Sequence, residues 1–227
     1  MTGAKKAAGR YAADQVADGM AVGLGTGSTV MYALERLSAR IRDEGLGVVG
    51  VPTSHQTAIR AREFRIPLAT LEEYPVLDLA IDGADQVDTV RNLIKGRGGA
   101  LLRERCVAEA AERFLVVVDE GKMVQTLSGV VPVEVIPFAA TLVSARLARM
   151  GGVPVLREGE RKDGPVMTDN CNWIIDCRFG PILEPASLED AINTVPGVVS
   201  CGIFAEFREK TAVAVGKMDG SVRLFSG

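Results

Sequence analysis

The sequence predicts an α/β fold: a Rossmann-like, doubly wound, mostly parallel sheet with a smaller α+β domain inserted into it. Two observations predict this class. Through residue 118, short apolar runs alternate with helical patterns, as in parallel sheets whose strands are joined by helices. After residue 128 the order becomes strand, helix, strand, strand, helix, strand, which is the ferredoxin-like split βαβ arrangement. We therefore expect one domain from residues 1–127 plus 208–227 and another from 128–207.

The individual elements follow from apolar periodicity and from glycines that end helices. In the first domain, strands are predicted at 20–24, 48–51, 68–71, 77–81, 114–118 and 211–216, and helices at 3–18, 30–42, 56–64 and around Glu104. In the second domain, strands are predicted at 131–136, 153–157, 173–177 and 198–204, and helices at 138–150 and 188–194. The strand at 211–216 is expected to return to the first sheet, which makes the second domain an insertion.

Composition excludes several classes of protein. The net charge is −3, and no block of lysine and arginine suggests a nucleic-acid partner. No apolar run approaches the roughly 18 residues that a membrane span needs, and the N-terminus lacks the apolar core of a secretory signal. The four cysteines show no metal-type spacing, and the chain has one histidine. We therefore expect a cytoplasmic protein with reduced thiols and no zinc site.

A group of charged residues follows the predicted strand at 77–81. Asp82 and Asp85 stand where the strand ends, Lys95 enters a glycine-rich turn, and Glu104 lies in the helix after that turn. In open α/β sheets, ligands bind at the carboxyl ends of the strands. A solvated acidic loop is the simpler interpretation, but the setting of Glu104 favours a functional site.

Glu104 lies on the apolar stripe of its helix. Its neighbours three and four residues away are all apolar: Ala100, Leu101, Val107 and Ala108. Glu109, by contrast, has polar and charged neighbours, as a surface glutamate should. Burial disfavours the charged form of a carboxylate, so we expect the pKa of Glu104 to be raised, which suits a general base.

The turn Gly25-Thr26-Gly27-Ser28-Thr29 connects a predicted strand to a helix, which is the layout of a phosphate-binding cradle. It is neither a P-loop nor a dinucleotide fingerprint, because the lysine and the third glycine are missing. Serine and threonine also serve simply as helix caps, so both interpretations stay open. The lysines at 5, 6 and 122 are either surface residues or partners of an anion.

Together these motifs resemble those of ribose-5-phosphate isomerase of the A type. The resemblance covers essentially the whole chain. It is carried by GLGTGST at 23–29, IDGADQVD at 81–88, KGRGGALLRE at 95–104, VDEGK at 118–122, PVEVIP at 132–137, MTDNCN at 167–172 and INTVPGVVSCGIFA at 192–205. Three positions depart from the family pattern: Gln86 replaces an acid, and Arg97 and Cys171 each replace a glycine. The departures leave open whether the backbone at Arg97 is redirected or its side chain points to solvent.

The resemblance implies the roles of the site residues. The catalytic set would be Glu104, Asp82, Asp85 and Lys95. The substrate, a small sugar phosphate, would be bound by Thr26, Gly27, Ser28, Thr29, Gly83, Ala84, Gly96, Arg97, Gly98, Lys122 and Lys5. The resemblance also implies no metal, no organic cofactor, no nucleic-acid or membrane partner, and a homodimer or homotetramer, with the inserted domain as the oligomerisation element.

The implied reaction interconverts D-ribose 5-phosphate and D-ribulose 5-phosphate in the non-oxidative pentose phosphate pathway. Glu104 would move a proton between C2 and C1 through a cis-enediolate, which Lys95 and backbone amides of the 96–99 turn would stabilise. Asp82 and Asp85 would open the furanose ring. Two rival hypotheses are a sugar-phosphate sensor without turnover, which has no need for a buried base, and an acyl-CoA transferase with a glutamate nucleophile, whose chains are usually longer.

Overall fold

The computed structural model describes residues 2–226, and the chain divides into two units. The first unit comprises Met1–Ala84, Arg103–Met123 and Glu209–Gly227, and the second comprises Asp85–Leu102 and Val124–Arg208. Residues 85–102 thus group with the second unit, although the sequence predicts them in the first domain.

Six α-helices and thirteen β-strands make up the described chain. The helices are α1 (Thr2–Asp14), α2 (Ser28–Glu44), α3 (His55–Glu63), α4 (Leu101–Ala110), α5 (Ala140–Arg149) and α6 (Pro185–Asn193). The strands are β1 (Ala21–Leu24), β2 (Val49–Pro52), β3 (Leu79–Asp82), β4 (Gln86–Val87), β5 (Leu93–Ile94), β6 (Phe114–Asp119), β7 (Val130–Val135), β8 (Val153–Leu156), β9 (Trp173–Arg178), β10 (Val198–Cys201), β11 (Ile203–Phe204), β12 (Thr211–Gly216) and β13 (Val222–Phe225).

The first unit is built on a six-stranded sheet of order β13-β12-β6-β3-β1-β2. Five strands run parallel, and β13 pairs antiparallel with β12 at one edge. The first unit's core contains Ala8 and Ala12 of α1, Leu34 of α2, and Val22 and Leu24 of β1. The two helices therefore cover one face of the sheet.

Helix α4 covers the opposite face. Gly23 alternates with Val22 and Leu24 along β1, so it faces away from α1 and α2. A Cβ atom on Gly23 would collide with Val107 of α4. The absence of a side chain at Gly23 thus lets α4 approach closely, and the predicted doubly wound, mostly parallel sheet is confirmed.

The second unit contains an antiparallel sheet of order β10-β7-β9-β8. This is the strand order of the predicted split βαβ arrangement. Val133 and Ile175 of the sheet share a buried core with Val143 of α5 and Ile192 of α6. Cys177 belongs to the same core, where burial raises the pKa of its thiol to about 11.

One predicted strand of the second unit is wrong in its extent. The run 198–204 splits into β10 and β11, and only β10 joins the four-stranded sheet. The break falls at Gly202, whose N–H donates to the carbonyl of Pro132 and whose carbonyl accepts from the N–H of Lys95. Strand β11 instead pairs with β5 in a small sheet of order β11-β5-β4.

Other boundaries also differ from the predictions. The first helix ends at Asp14 and not at residue 18, because the N–H groups of Gln15 and Val16 close a tighter turn. No strand forms at 68–71: Leu68 makes one isolated bridge, and Glu73 then accepts hydrogen bonds from Thr70 in a turn. The short strands β4 and β5 and the edge strand β13 were not predicted from the sequence.

Candidate active site

Most of the predicted site residues of the first unit lie at the carboxyl edge of its sheet. Because β1, β3 and β6 are parallel, their carboxyl ends lie at one edge. The turn 25–29 follows β1, Gly83 and Ala84 follow β3, and the short 3₁₀ helix Glu120–Lys122 follows β6. Lys122 is half-buried there. This edge is where open α/β sheets bind ligands.

Asp82 joins two of these loops. The residue is 3% exposed, and its Oδ1 accepts hydrogen bonds from the N–H groups of Thr26 at 3.1 Å and Gly83 at 2.7 Å. A Cβ atom on Gly25 would occupy the space of this carboxylate. The glycine at 25 is therefore required for the turn to close on Asp82.

A cluster of hydroxyl groups supports the same turn from the side of α3. Thr26 Oγ1 lies 2.9 Å from Thr53 Oγ1, 2.8 Å from Ser54 Oγ and 3.1 Å from Thr57 Oγ1. Thr57 Oγ1 donates to the carbonyl of Gly25 at 2.8 Å. Sequence reasoning missed this role of Thr53, Ser54 and Thr57. The Pro-Thr-Ser run that begins at the last residue of β2 was the available signal, since it also ends a parallel strand.

The start of α2 has the features of an anion site. Its N-cap is Gly27, with φ 123° and no side-chain cap, and its first turn carries no acidic residue. Lys5 Nζ from α1 donates to Ser28 Oγ at 3.0 Å. The uncapped amide groups and helix dipole of a 17-residue helix attract negative charge. A lysine and a serine hydroxyl stand beside them.

Glu104 lies in the first turn of α4 and is 6% exposed. The four apolar side chains that flank it at three and four residues are all buried. Glu109 on the same helix is exposed. The helix therefore turns Glu104 inward with its apolar stripe and leaves Glu109 on the surface.

In the second unit, Lys95 directly follows β5 and is 2% exposed. Its backbone N–H donates to the carbonyl of Gly202 at 2.8 Å, which continues the pairing of β5 with β11. Lys95 Nζ lies 5.5 Å from the centre of the Phe204 ring. A cation over an aromatic face is stabilised by the ring's quadrupole, so Phe204 is a partner of Lys95 that sequence reasoning missed.

The turn after Lys95 explains why Arg97 is tolerated. Gly96 and Gly99 have φ of 98° and 77°, a region that favours glycine, whereas Arg97 has a negative φ that any residue can adopt. A Cβ atom on Gly96 would also lie 3.0 Å from Leu101 and 3.2 Å from Pro132. Gly98 and Arg97 are exposed. Arg97 therefore points to solvent without disturbing the glycines that the turn needs.

Asp85 and Gln86 hold neighbouring parts of the second unit. Asp85 Oδ2 accepts the N–H of Arg97 at 3.0 Å. Gln86 Oε1 accepts the N–H groups of Ser128 and Gly129, each at 2.9 Å. An amide oxygen thus makes the two contacts that a carboxylate would make, which accounts for glutamine where the family pattern has an acid.

The predicted residues therefore fall into connected sets within each unit. In the first unit, Lys5 contacts Ser28, and Thr26 and Gly83 both bind Asp82; Glu104 and Lys122 lie in the same unit. In the second unit, Asp85 binds the turn that Lys95 enters. Between residues 2 and 226, no group of three or more histidine, cysteine, aspartate or glutamate side chains is placed to hold a metal ion, and no helix is long and apolar enough to cross a membrane.

Comparisons with known proteins agree on one family. Residues 49–220 match the family model of ribose 5-phosphate isomerase A (phosphoriboisomerase A). The ribose-5-phosphate isomerase A of Methanoregula boonei is 60% identical over 213 residues, covering 94% of this chain and 90% of the relative. That of Methanosarcina acetivorans is 47% identical and covers 98% and 94%.

Solved structures show the same relationship. Ribose 5-phosphate isomerase A of Methanocaldococcus jannaschii superposes with a TM-score of 0.93 at 44% identity, covering 98% of each chain. A D-ribose-5-phosphate isomerase in complex with phospho-erythronic acid superposes with a TM-score of 0.94 at 42% identity, covering 98% and 97%. This chain belongs to the ribose 5-phosphate isomerase A family.

Proposed function

We propose that the chain interconverts D-ribose 5-phosphate and D-ribulose 5-phosphate through a cis-enediolate, with Glu104 as the base that carries the proton between C2 and C1. The observation that carries the assignment is the burial of Glu104 beside the exposed Glu109 on the same helix. Burial favours the neutral form of a carboxylate, so a buried glutamate takes a proton from carbon more readily than an exposed one.

Binding of the substrate's phosphate group is assigned to the start of α2. The uncapped amides after Gly27, the hydroxyl of Ser28 and the ammonium of Lys5 support this assignment. Lys122, after a neighbouring strand end, is assigned as a second cation for the substrate. Binding the phosphate at a distance from the reacting carbons orients C1 and C2 for proton transfer.

Stabilisation of the enediolate oxygen is assigned to Lys95 and to backbone N–H groups of the 96–99 turn. A buried ammonium and fixed amide dipoles stabilise a developing negative charge without having to reorganise. Asp82 and Asp85 are assigned to ring opening and to proton transfer between O1 and O2. Asp85 is half-buried, and Asp82 is held in place by the two amides that it binds.

A coupled assay for ribulose 5-phosphate tests turnover, and Glu104→Gln tests the base. We expect Glu104→Gln to lower kcat by about 10²- to 10⁴-fold, the usual contribution of a positioned base. Glu109→Gln, on the exposed side of the same helix, should keep kcat within about twofold of the wild-type value, because surface substitutions rarely matter. In deuterated water, the wild-type enzyme should incorporate deuterium at C1 and C2.

Two results would contradict the proposal. Wild-type turnover by Glu104→Gln would remove Glu104 as the base. Tight binding of ribose 5-phosphate without any turnover by the wild-type protein would favour a sugar-phosphate sensor instead.

The proposal extends to assembly and location. A homodimer or homotetramer formed through the second unit is supported by the family resemblance and by apolar side chains exposed near the start of α5. Phe138 is 98% exposed, Leu142 52% and Ile136 42%. A cytoplasmic location is supported by the four cysteines, all of which are free thiols.

A further inference from the structure

Arg157 makes an unusually complete set of contacts with the turn that follows Lys95. Nη1 donates to the carbonyl of Gly96 at 3.2 Å and to that of Arg97 at 3.0 Å. Nε and Nη2 donate to the two oxygens of Asp176, at 2.8 and 2.5 Å. Four of the five N–H groups of the guanidinium are thus engaged within the second unit, in the paired geometry that only arginine offers.

These contacts fix the direction of two consecutive peptide groups. In a trans peptide the C=O and N–H point in opposite directions, and the described chain has no cis peptide bond. The carbonyl of Gly96 and the N–H of Arg97 belong to one peptide group. Arg157 donates to the carbonyl at one edge of this group, and Asp85 accepts the N–H at the opposite edge. Both ends of that peptide are therefore held.

The next peptide group leaves one donor available. Arg157 holds the carbonyl of Arg97, so the N–H of Gly98 points away from the guanidinium. The N–H of Gly99 already donates to the carbonyl of Gly96 at 3.0 Å. Within residues 2–226, the N–H of Gly98 makes no hydrogen bond, and Gly98 is exposed.

We propose that Arg157, itself oriented by Asp176, is a positioning residue that turns the Gly98 N–H outward as a donor for the enediolate oxygen. This inference rests on the proposed isomerase function. It adds the guanidinium of Arg157 as the group that orients the Gly98 N–H toward the developing negative charge. Arg157 is not assigned any contact with substrate. Its effect passes through the two carbonyls that it holds, 61 and 60 residues away in sequence.

The test compares Arg157→Met and Arg157→Lys with Arg178→Met, an exposed arginine on the same strand as Asp176. We expect Arg157→Met to lower kcat by about 10- to 100-fold, since small misplacements of catalytic donors cost this much. KM and the Kd of inorganic phosphate should stay within about threefold, because phosphate binding is assigned elsewhere. Arg178→Met should match the wild-type enzyme.

Arg157→Lys should also lose kcat, because lysine keeps the charge but cannot hold Asp176 and both carbonyls. Asp176→Asn should lose less, and the double variant Arg157→Met/Asp176→Asn should be no slower than Arg157→Met, since Asp176 acts through Arg157. In Arg157→Ala, guanidinium ion at tens of millimolar should restore part of kcat, which loss of folding alone would not allow.

Wild-type kcat in a folded Arg157→Met or Arg157→Lys would overturn the inference, as would a rise in KM with unchanged kcat. If Arg157→Met unfolds, the lysine variant and the guanidinium rescue decide the question. An inactive wild-type protein would instead refute the proposed function, so the two failures are distinguishable.

Discussion

At the scale of single residues, Cys171 stands in a backbone conformation that suits glycine. Its φ is 62°, and it lies in the 167–172 loop, where Glu134 Oε1 accepts hydrogen bonds from Thr168, Asn170 and Asn172. Glu134 is fully buried. These three bonds hold the loop in one conformation. The backbone at Cys171 therefore keeps its positive φ, although a residue with a Cβ atom is strained there.

Replacing Cys171 with glycine should therefore stabilise the protein. A non-glycine residue in this region costs about 1–2 kcal/mol, part of which is offset by the greater freedom of glycine in the unfolded chain. We expect Cys171→Gly to raise the free energy of unfolding by about 1 kcal/mol, or Tm by roughly 2–4 °C. Cys106→Gly, also at an exposed cysteine but inside α4, should lower the free energy of unfolding by about 0.3 kcal/mol. Equal shifts of Tm in both variants would contradict this account.

Individual residues show which parts of the site were predictable. The burial of Glu104 could be predicted from helical periodicity, because its neighbours three and four residues away are all apolar. The contacts of Thr57 with the 25–29 turn and of Arg157 with the 96–99 turn join residues about 30 and 60 positions apart. No local pattern encodes such pairs, because they depend on how strands are ordered in the sheet.

At the scale of elements, the phosphate assignment depends on two helices. The start of α2 supplies amides and a dipole, and α1 supplies Lys5 against Ser28. Helix α1 is held in place at this point, since a Cβ atom on Gly216 at the end of β12 would collide with the carbonyl of Ala4. The position of the lysine is therefore determined by the packing of α1 on the sheet.

Lys5→Met should weaken substrate binding more than it slows the reaction. A hydrogen bond to a charged group contributes about 1.5–3 kcal/mol, so we expect KM for ribose 5-phosphate to rise about 10- to 100-fold with a smaller change in kcat. Lys6→Met, the exposed neighbour on the same helix, is the matched control and should leave KM unchanged. Equal effects of the two substitutions would show that general charge, and not the contact with Ser28, attracts the phosphate.

The elements themselves were predicted well where the pattern was long and local. Strand β6, with six consecutive buried residues, and helix α2, with a full apolar stripe, were both evident from the sequence. The run 198–204 looked like one strand because most of its residues, among them Val198, Val199 and Ile203, favour strands. Its division at Gly202 depends on Pro132 and Lys95, which reach that glycine only in the folded second unit.

At the scale of the whole molecule, the proposed assembly with a second copy rests on the exposed apolar residues near α5. Light scattering should give a multiple of the 24.1 kDa chain mass. Phe138→Glu should shift the mass toward that of a single chain, because a charge is costly in a buried apolar contact. Leu224→Glu, an exposed apolar position on the edge strand of the first unit, is the control. A wild-type protein that runs as a single chain at micromolar concentration would contradict the proposal.

The parallel sheet of the first unit has a consequence for how the protein is made. Strand β12 lies beside β6 in that sheet, yet about 90 residues of the second unit and its connections separate them in the chain. At a synthesis rate of roughly 5–20 residues per second, β6 waits about 5–20 s on the ribosome with one edge unpaired. During that interval the nascent polypeptide exposes one edge of a strand that is apolar except for Asp119, so we expect slow translation or poor chaperone access after Asp119 to lower the yield of active enzyme.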